Sequence, residues 1–200
     1  MPPSREKPRR PRRPDVPREE AELRLIEATI ALANERPRLS DITTRLIADR
    51  AELNIAHINR YFGSREELFV RVADHLAAGI GEAIAELDQQ QIFVFFRSDP
   101  SVVLRSRILS HLIGDGIDPG RFTVMPRLVE RFTKRFAEQL GVSDRTSRAF
   151  LLKSLATTHG SVLFAETYGA TDRDRNDGLQ LALLEAAGLA EAERRLGWAD

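Results

Sequence analysis

From Leu23 to Leu196 apolar residues recur every three or four positions, interrupted by short polar stretches that often carry Pro or Gly. That period belongs to helices with one buried face, so the pattern predicts an all-α chain. Leu23, Ile26, Ile30 and Ala33 form the first stripe, over Arg18 to Glu35, with Glu19, Glu20 and Glu22 at the positive end of its dipole and Pro37 ending it. Ile47, Ala48, Ala51, Leu53, Ile58 and Phe62 are spaced for two short helices around one small core, with a tight turn near Ala51 to Leu53. Thr43 or Ser40 caps the first of that pair and Asn54 the second. Gly63 breaks the pattern, and Ser64-Arg65-Glu66-Glu67 is a capping box that opens the next helix. Its stripe of Leu68, Val72, Leu76, Ile80, Ile84 and Leu87 predicts one long helix from Ser64 to about Gln90. Ile92 to Phe96 is the most strand-like run, yet no turn links it to a partner strand, so it is read as the end of the long helix or a buried connection. Further helices are predicted from Asp99-Pro100 to Ile113, from Met125 to Leu140, and from Ser143 to about Tyr168. Leu179 to Leu196 makes a last helix or pair, after a solvated loop at Thr171 to Asp177.

Composition narrows the class without changing that outline. With 200 residues, 42% of them hydrophobic and 30% charged, the chain can bury a core. It has no cysteine, which removes disulfides, thiolate zinc sites and cysteine nucleophiles and suits a reducing cytoplasm. The first residues carry Arg and Pro where a secretory signal would be apolar, and no run reaches transmembrane length. A cytoplasmic protein with no membrane partner is expected. The formal net charge is zero, but residues 1–75 hold 15 basic and 13 acidic side chains against 15 and 17 in the rest. That asymmetry points to the N-terminal end as the place for an anionic partner. Residues 1–17, rich in Pro and Arg, are too polar to fold and are expected to form a flexible arm. Its arginines either track phosphates or enter a minor groove, or the arm is a solvated tail.

The candidate chemistry lies between Thr43 and Phe62. The second helix of the pair leaves Ile55, Ala56, His57, Asn59, Arg60 and Tyr61 with no core of their own, and a short polar helix braced by another is what reads base edges in a major groove. The run T-T-R-L-I-A-D-R-A-E-L-N-I-A-H-I-N-R-Y-F-G-S-R-E-E-L, Thr43 to Leu68, resembles the DNA-binding segment of the TetR-type transcriptional regulators. The likeness is closest at Ile47, Ala48, Arg50, Ala51, Tyr61, Phe62, Gly63, Ser64, Glu66, Glu67 and Leu68, and it extends over roughly residues 20 to 75. Two residues depart from that family's pattern. Glu52 stands where the turn usually has glycine, and Asn59 replaces a tyrosine that commonly touches phosphate. A helical hairpin closed by Tyr61-Phe62 is the plain structural alternative.

The resemblance implies a helix-turn-helix domain over 18–63 and a ligand-binding and dimerisation domain over 64–200. It implies a homodimer on a palindromic operator in double-stranded DNA, acting as a repressor that responds to a small-molecule effector. On this reading Asn54, Ile55 and Ala56 lead the reading helix into the groove. His57, Asn59 and Arg60 meet bases or the adjacent backbone, and Thr43, Arg45, Tyr61 and Arg65 meet phosphates. The dimer interface falls on the last two long helices, with Ala149, Ala156, Gly160 and Phe164 on one and Leu179, Leu183, Leu184 and Ala187 on the other.

An enzyme reading finds little to stand on. The chain has no Gly-rich phosphate loop, no His-Glu-x-x-His pair and no nucleophile-elbow serine. His75, His111 and His159 fall on separate predicted helices, and Asp172, Asp174 and Asp177 lack the glycine and terminal glutamate of a calcium loop, so neither metal nor cofactor is expected. Eight phenylalanines between Phe93 and Phe164 supply enough aromatic surface for an apolar cavity with a few polar groups such as His111, Thr157, Thr158 and His159, or they are simply core. Phe93, Phe96, His111, Phe132, Phe150 and His159 are the candidate ligand contacts. Two other functions stay open: an architectural DNA-binding protein with no effector response, and a helical-bundle enzyme.

Overall fold

The computed structural model describes residues 16–198, so most of the Pro/Arg-rich arm lies outside the described residues. The described chain is all-α, in two compact units divided between Leu68 and Phe69.

The first unit begins with α1 (Arg18–Glu35), whose buried face of Ala21, Leu25, Ala28, Thr29, Leu32 and Ala33 supplies the floor of the unit. A 3-10 turn (Leu39–Asp41) leads into α2 (Thr44–Arg50) and α3 (Ala56–Tyr61), both of which pack on α1. Ile42, Ile47 and Ile58 are fully buried among them. Arg50 closes the far side with a two-pronged ion pair to Glu35, its nitrogens 2.8 and 2.7 Å from the carboxylate oxygens.

α4 (Arg65–Ala83) begins in the first unit and continues into the second. It stops well short of Gln90. Asp88 and Gln91 form a capping box that starts a separate helix, α5 (Gln89–Ser98), so the strand-like Ile92–Phe96 run is helical. The carbonyls exposed by the break are met by Arg135, which donates to Ile84, Ala85 and Leu87. Burial explains the break. A continuous helix would carry Ile92 roughly 12 Å further along its axis than Ile84, whereas here both join Phe132 and Phe136 in one cluster.

α6 (Pro100–Gly114) opens on the Asp99 cap and α7 (Val124–Leu140) follows a second 3-10 turn (Pro119–Arg121). The start of α7 is held from α4: the buried Asp74 carboxylate accepts from Thr123 N–H, Thr123 Oγ1 and Val124 N–H at 2.9 to 3.2 Å. Gly81 allows close approach of α4 to α7, since a Cβ there would meet Leu128 Cδ2 at 2.6 Å. α8 (Asp144–Phe164) runs against α7 and α6. The predicted solvated loop at Thr171 to Asp177 is instead the cap and first turns of α9 (Asp172–Ala187), because Thr171 and Asp174 form a reciprocal capping box. α10 (Leu189–Leu196) is fastened to the start of α8 by the buried Glu193, which accepts from Ser143 N–H at 2.8 Å and from Ser143 Oγ.

Candidate nucleic-acid interface and apolar cavity

Local chemistry dictates the shape of the helix-turn-helix. Thr43 Oγ1 accepts the Leu46 N–H at 3.2 Å and so sets the first residue of α2. After Arg50 the chain reverses through Glu52, the one described non-glycine residue with positive φ, at 56°. Leu53 N–H then bonds back to Ala48 O at 2.9 Å. Asn54 Oδ1 accepts the Ala56 N–H at 2.9 Å, an Asx turn that launches α3. Ile58 alone of α3 is buried, and it anchors the helix through the core side.

The opposite face is open and mixes polar with apolar side chains. Asn54, Ile55, Ala56, Asn59 and Arg60 are exposed, and Arg60 has no carboxylate partner among the described residues. His57 and Tyr61, one turn apart, stack with ring centroids 5.4 Å apart and planes 3° from parallel. His57 Nδ1 is thereby shut away with no hydrogen-bond partner, leaving Nε2 as the ring's outward group. The Tyr61 ring is also faced by the guanidinium of Arg60, 5.7 Å from its centroid, and by that of Arg18 from α1, 5.6 Å away. Thr43 and Arg45 are exposed at the start of α2, and Arg45 lies 3.9 Å from Asp49 in a pair too solvated to hold it.

Arg65 differs from its sequence-based placement at the phosphates. Its Nε and Nη2 donate to the carbonyls of Ile42 and Leu39, both at 2.6 Å, so the side chain braces α4 against the 3-10 turn. Arg18 is the converse: sequence reasoning left it out, and only the packing of α1 on α3 brings it to Tyr61, 43 positions away in the chain.

In the second unit, α4, α5, α7 and α8 enclose a narrow cavity of about 60 Å³. Phe93, Phe96, Phe132 and Phe150 line it, as do Phe136, Met125 and several leucines and isoleucines. Its polar lining is Gln89, Ser154 and Thr158. His111 and His159 do not line it. His111 sits edge-on to Phe69 with its Nδ1 3.5 Å from Asp115. His159 is turned the other way, its Nδ1 2.7 Å from Leu155 O and its Nε2 3.4 Å from Arg105. Burial lowers the His159 pKa, the bond to Leu155 works against that shift, and the Arg105 charge adds to it. Arg105 itself is buried, which brings its pKa down to about 10 while the charge of Asp74 opposes the fall. Gln89 was legible only as a residue inside a long helix; the break at Ala83 is what turns it to the cavity.

No group of three or more His, Cys, Asp or Glu side chains suited to a metal occurs among the described residues, and no described helix is long and apolar enough to cross a membrane.

Comparison with known proteins agrees with this geometry. Residues 25–72 match the family described as bacterial regulatory proteins, tetR family. The HTH-type transcriptional dual regulator CecR of Shigella flexneri is 36% identical over 92 residues, which span 46% of this chain and 40% of that protein's length. Two solved structures share the fold across both units. A TetR transcriptional regulator from Rhodococcus sp. RHA1 superposes with a TM-score of 0.54 at 17% identity, covering 84% of this chain and 96% of its own. A TetR variant from Acinetobacter baumannii AYE in complex with minocycline gives 0.57 at 20% identity, covering 86% and 95%. A capped helix-turn-helix whose outer face is open thus falls within the residues similar to the tetR family, ahead of an all-helical second unit that shares the fold of the two solved structures.

Proposed function

We propose that the protein is a ligand-responsive repressor that binds a palindromic operator as a homodimer in the cytoplasm and leaves it when a small molecule enters the apolar cavity. The observation that carries the DNA half is the division of α3 into one buried anchor, Ile58, and an open face of Ala56, Asn59 and Arg60, with Asn54 and Ile55 exposed just ahead of it. His57 through Nε2, Asn59 and Arg60 are the base readers on this reading; Thr43, Arg45 and Tyr61 meet phosphates, and Arg65 positions the head from within. Residues 18–63 form the reading domain and 64–200 the ligand-binding and dimerisation domain.

A single head of this size touches few base pairs, so discrimination calls for two heads on a two-fold axis. Support for the dimer comes from large apolar side chains left open on α8 and α9: Leu152, Phe164, Leu181 and Leu184, the last 70% exposed. Support for the effector comes from the cavity, walled by α4, the helix that leads out of the reading domain. A ligand that favours one placement of α4 changes the spacing of the heads and lowers operator affinity by a coupling on the order of 1–3 kcal/mol. CecR is a dual regulator, so repression and activation are both measured against the regulated promoter. Selection of bound duplexes from genomic DNA tests the reading: an enriched palindrome is expected. Salt-sensitive binding with no enriched sequence would instead favour an architectural role.

A further inference from the structure

The cavity has one feature that an ordinary core lacks. Gln89 lines it, and the Gln89 side-chain nitrogen, Nε2, is buried with no hydrogen-bond partner among the described residues. An unmet amide N–H costs free energy unless something else satisfies it, and the walls around it are five phenylalanines, aliphatic side chains and Met125. The remaining polar groups, the hydroxyls of Ser154 and Thr158, stand one turn apart on α8. No Asp, Glu, Lys, Arg or His side chain lines the cavity among the described residues.

We infer that the effector is an uncharged, mainly apolar and preferably aromatic molecule carrying a hydrogen-bond acceptor, such as a carbonyl, that accepts from Gln89 Nε2. This rests on the proposed effector role of the cavity and narrows it to a ligand class. A carboxylate or ammonium would be stripped of water with no countercharge to meet it, which excludes charged ligands of similar shape. A pure hydrocarbon would leave Gln89 as it is and gain nothing from it. At about 60 Å³ the space is smaller than the roughly 150 Å³ of an engineered cavity that takes up benzene, so an occupant widens it. The flexible Met125 and the aromatic walls are the parts that yield.

The test uses the full chain and three probes of one shape: acetophenone, ethylbenzene and benzoate, each titrated by calorimetry. Acetophenone is expected to bind at millimolar concentration or below and benzoate at least roughly tenfold more weakly. In Gln89→Leu the ratio of acetophenone to ethylbenzene affinity is expected to fall roughly tenfold, through loss of acetophenone binding. A ratio unchanged by the substitution, tighter binding of benzoate, or no binding of acetophenone would overturn the inference. The infrared carbonyl stretch of acetophenone bound to the unaltered protein gives a readout that does not depend on the variant folding. It is expected below its position in hexane, and a stretch at the hexane position would also overturn the assignment. Operator binding is measured apart from these: if acetophenone binds through Gln89 but operator affinity stays the same, the ligand class stands and the switch reading falls.

Discussion

Glu52 carries the tightest local constraint in the reading head. Its φ of 56° places Cβ against the carbonyl oxygen, a conformation that glycine adopts without that clash. Glu52→Gly removes the clash and adds backbone freedom to the unfolded chain; the first effect is the larger, and a net stabilisation of about 0.5–1 kcal/mol is expected in urea unfolding. Arg65 makes the opposite case. Its two bonds to the carbonyls of Leu39 and Ile42 are short and half-shielded from water, so Arg65→Ala is expected to cost about 2 kcal/mol of stability. The slope of operator affinity against salt should stay as it was; a slope reduced by about 1 would return Arg65 to the phosphates.

His159 supplies a pH dependence whose sign follows from its surroundings. The Nδ1 proton is donated to Leu155, so Nε2 is the bare nitrogen that Arg105 faces, and burial disfavours a second proton. The folded pKa lies below the 6.5 of the unfolded chain, so the unfolded state binds more protons between the two values. Stability is therefore complete above pH 6.5 and falls as the pH drops toward the folded value. Urea midpoints at pH 7.5 and 5.5 should show that loss, and His159→Gln should reduce it.

At the scale of elements, the decisive event is the interruption between α4 and α5. Asp88 caps α5, Arg135 takes the carbonyls of Ile84, Ala85 and Leu87, and the same guanidinium lies 5.8 Å from the centre of the Phe132 ring in the cavity wall. The break is thus fastened to the cavity by one side chain. Asp88→Ala is expected to lower stability by about 1 kcal/mol, the ordinary cost of an N-cap. Arg135→Ala should also accelerate amide hydrogen exchange in α5 ahead of α1, whereas uniform acceleration would show that the break is held by other contacts.

For the molecule as a whole, α8 and α9 leave large apolar side chains in water that the single chain does not bury. Sedimentation at micromolar concentration should therefore give a dimer. Leu184→Glu is expected to produce monomers and to weaken operator binding by more than tenfold. Since Leu184 is exposed in the protomer, its replacement should change protomer stability by no more than about 0.5 kcal/mol. A dimer that survives this change, and the same change at Leu181, would move the interface to another face.

Much of this protein is written in local chemistry, and local chemistry is what a sequence displays. The helical period of Leu23, Ile26, Ile30 and Ala33, the Thr43 cap, the reversal at Glu52 and the Asx turn at Asn54 each depend on residues within a few positions of one another, so the helix-turn-helix was legible before any packing was known, although α1 buries Leu25 and Leu32 and leaves Leu23 exposed. The same holds for the Asp99-Pro100 start of α6 and the Ser143 cap of α8. Tertiary structure decided the rest. Periodicity runs unbroken from Leu68 to Leu87, and the helix there ends at Ala83 because Arg135, some fifty positions on, and the shared burial of Ile84 and Ile92 reward a turn. Thr171 to Asp177 looked like a loop because its charged residues hide a capping box. Whether a phenylalanine or histidine meets a cavity depends on the rotation and crossing of helices, which sequence spacing leaves undetermined. Packing therefore placed Phe93, Phe96, Phe132 and Phe150 at the cavity, turned His111 and His159 away from it, and set an unmet amide of Gln89 in their place.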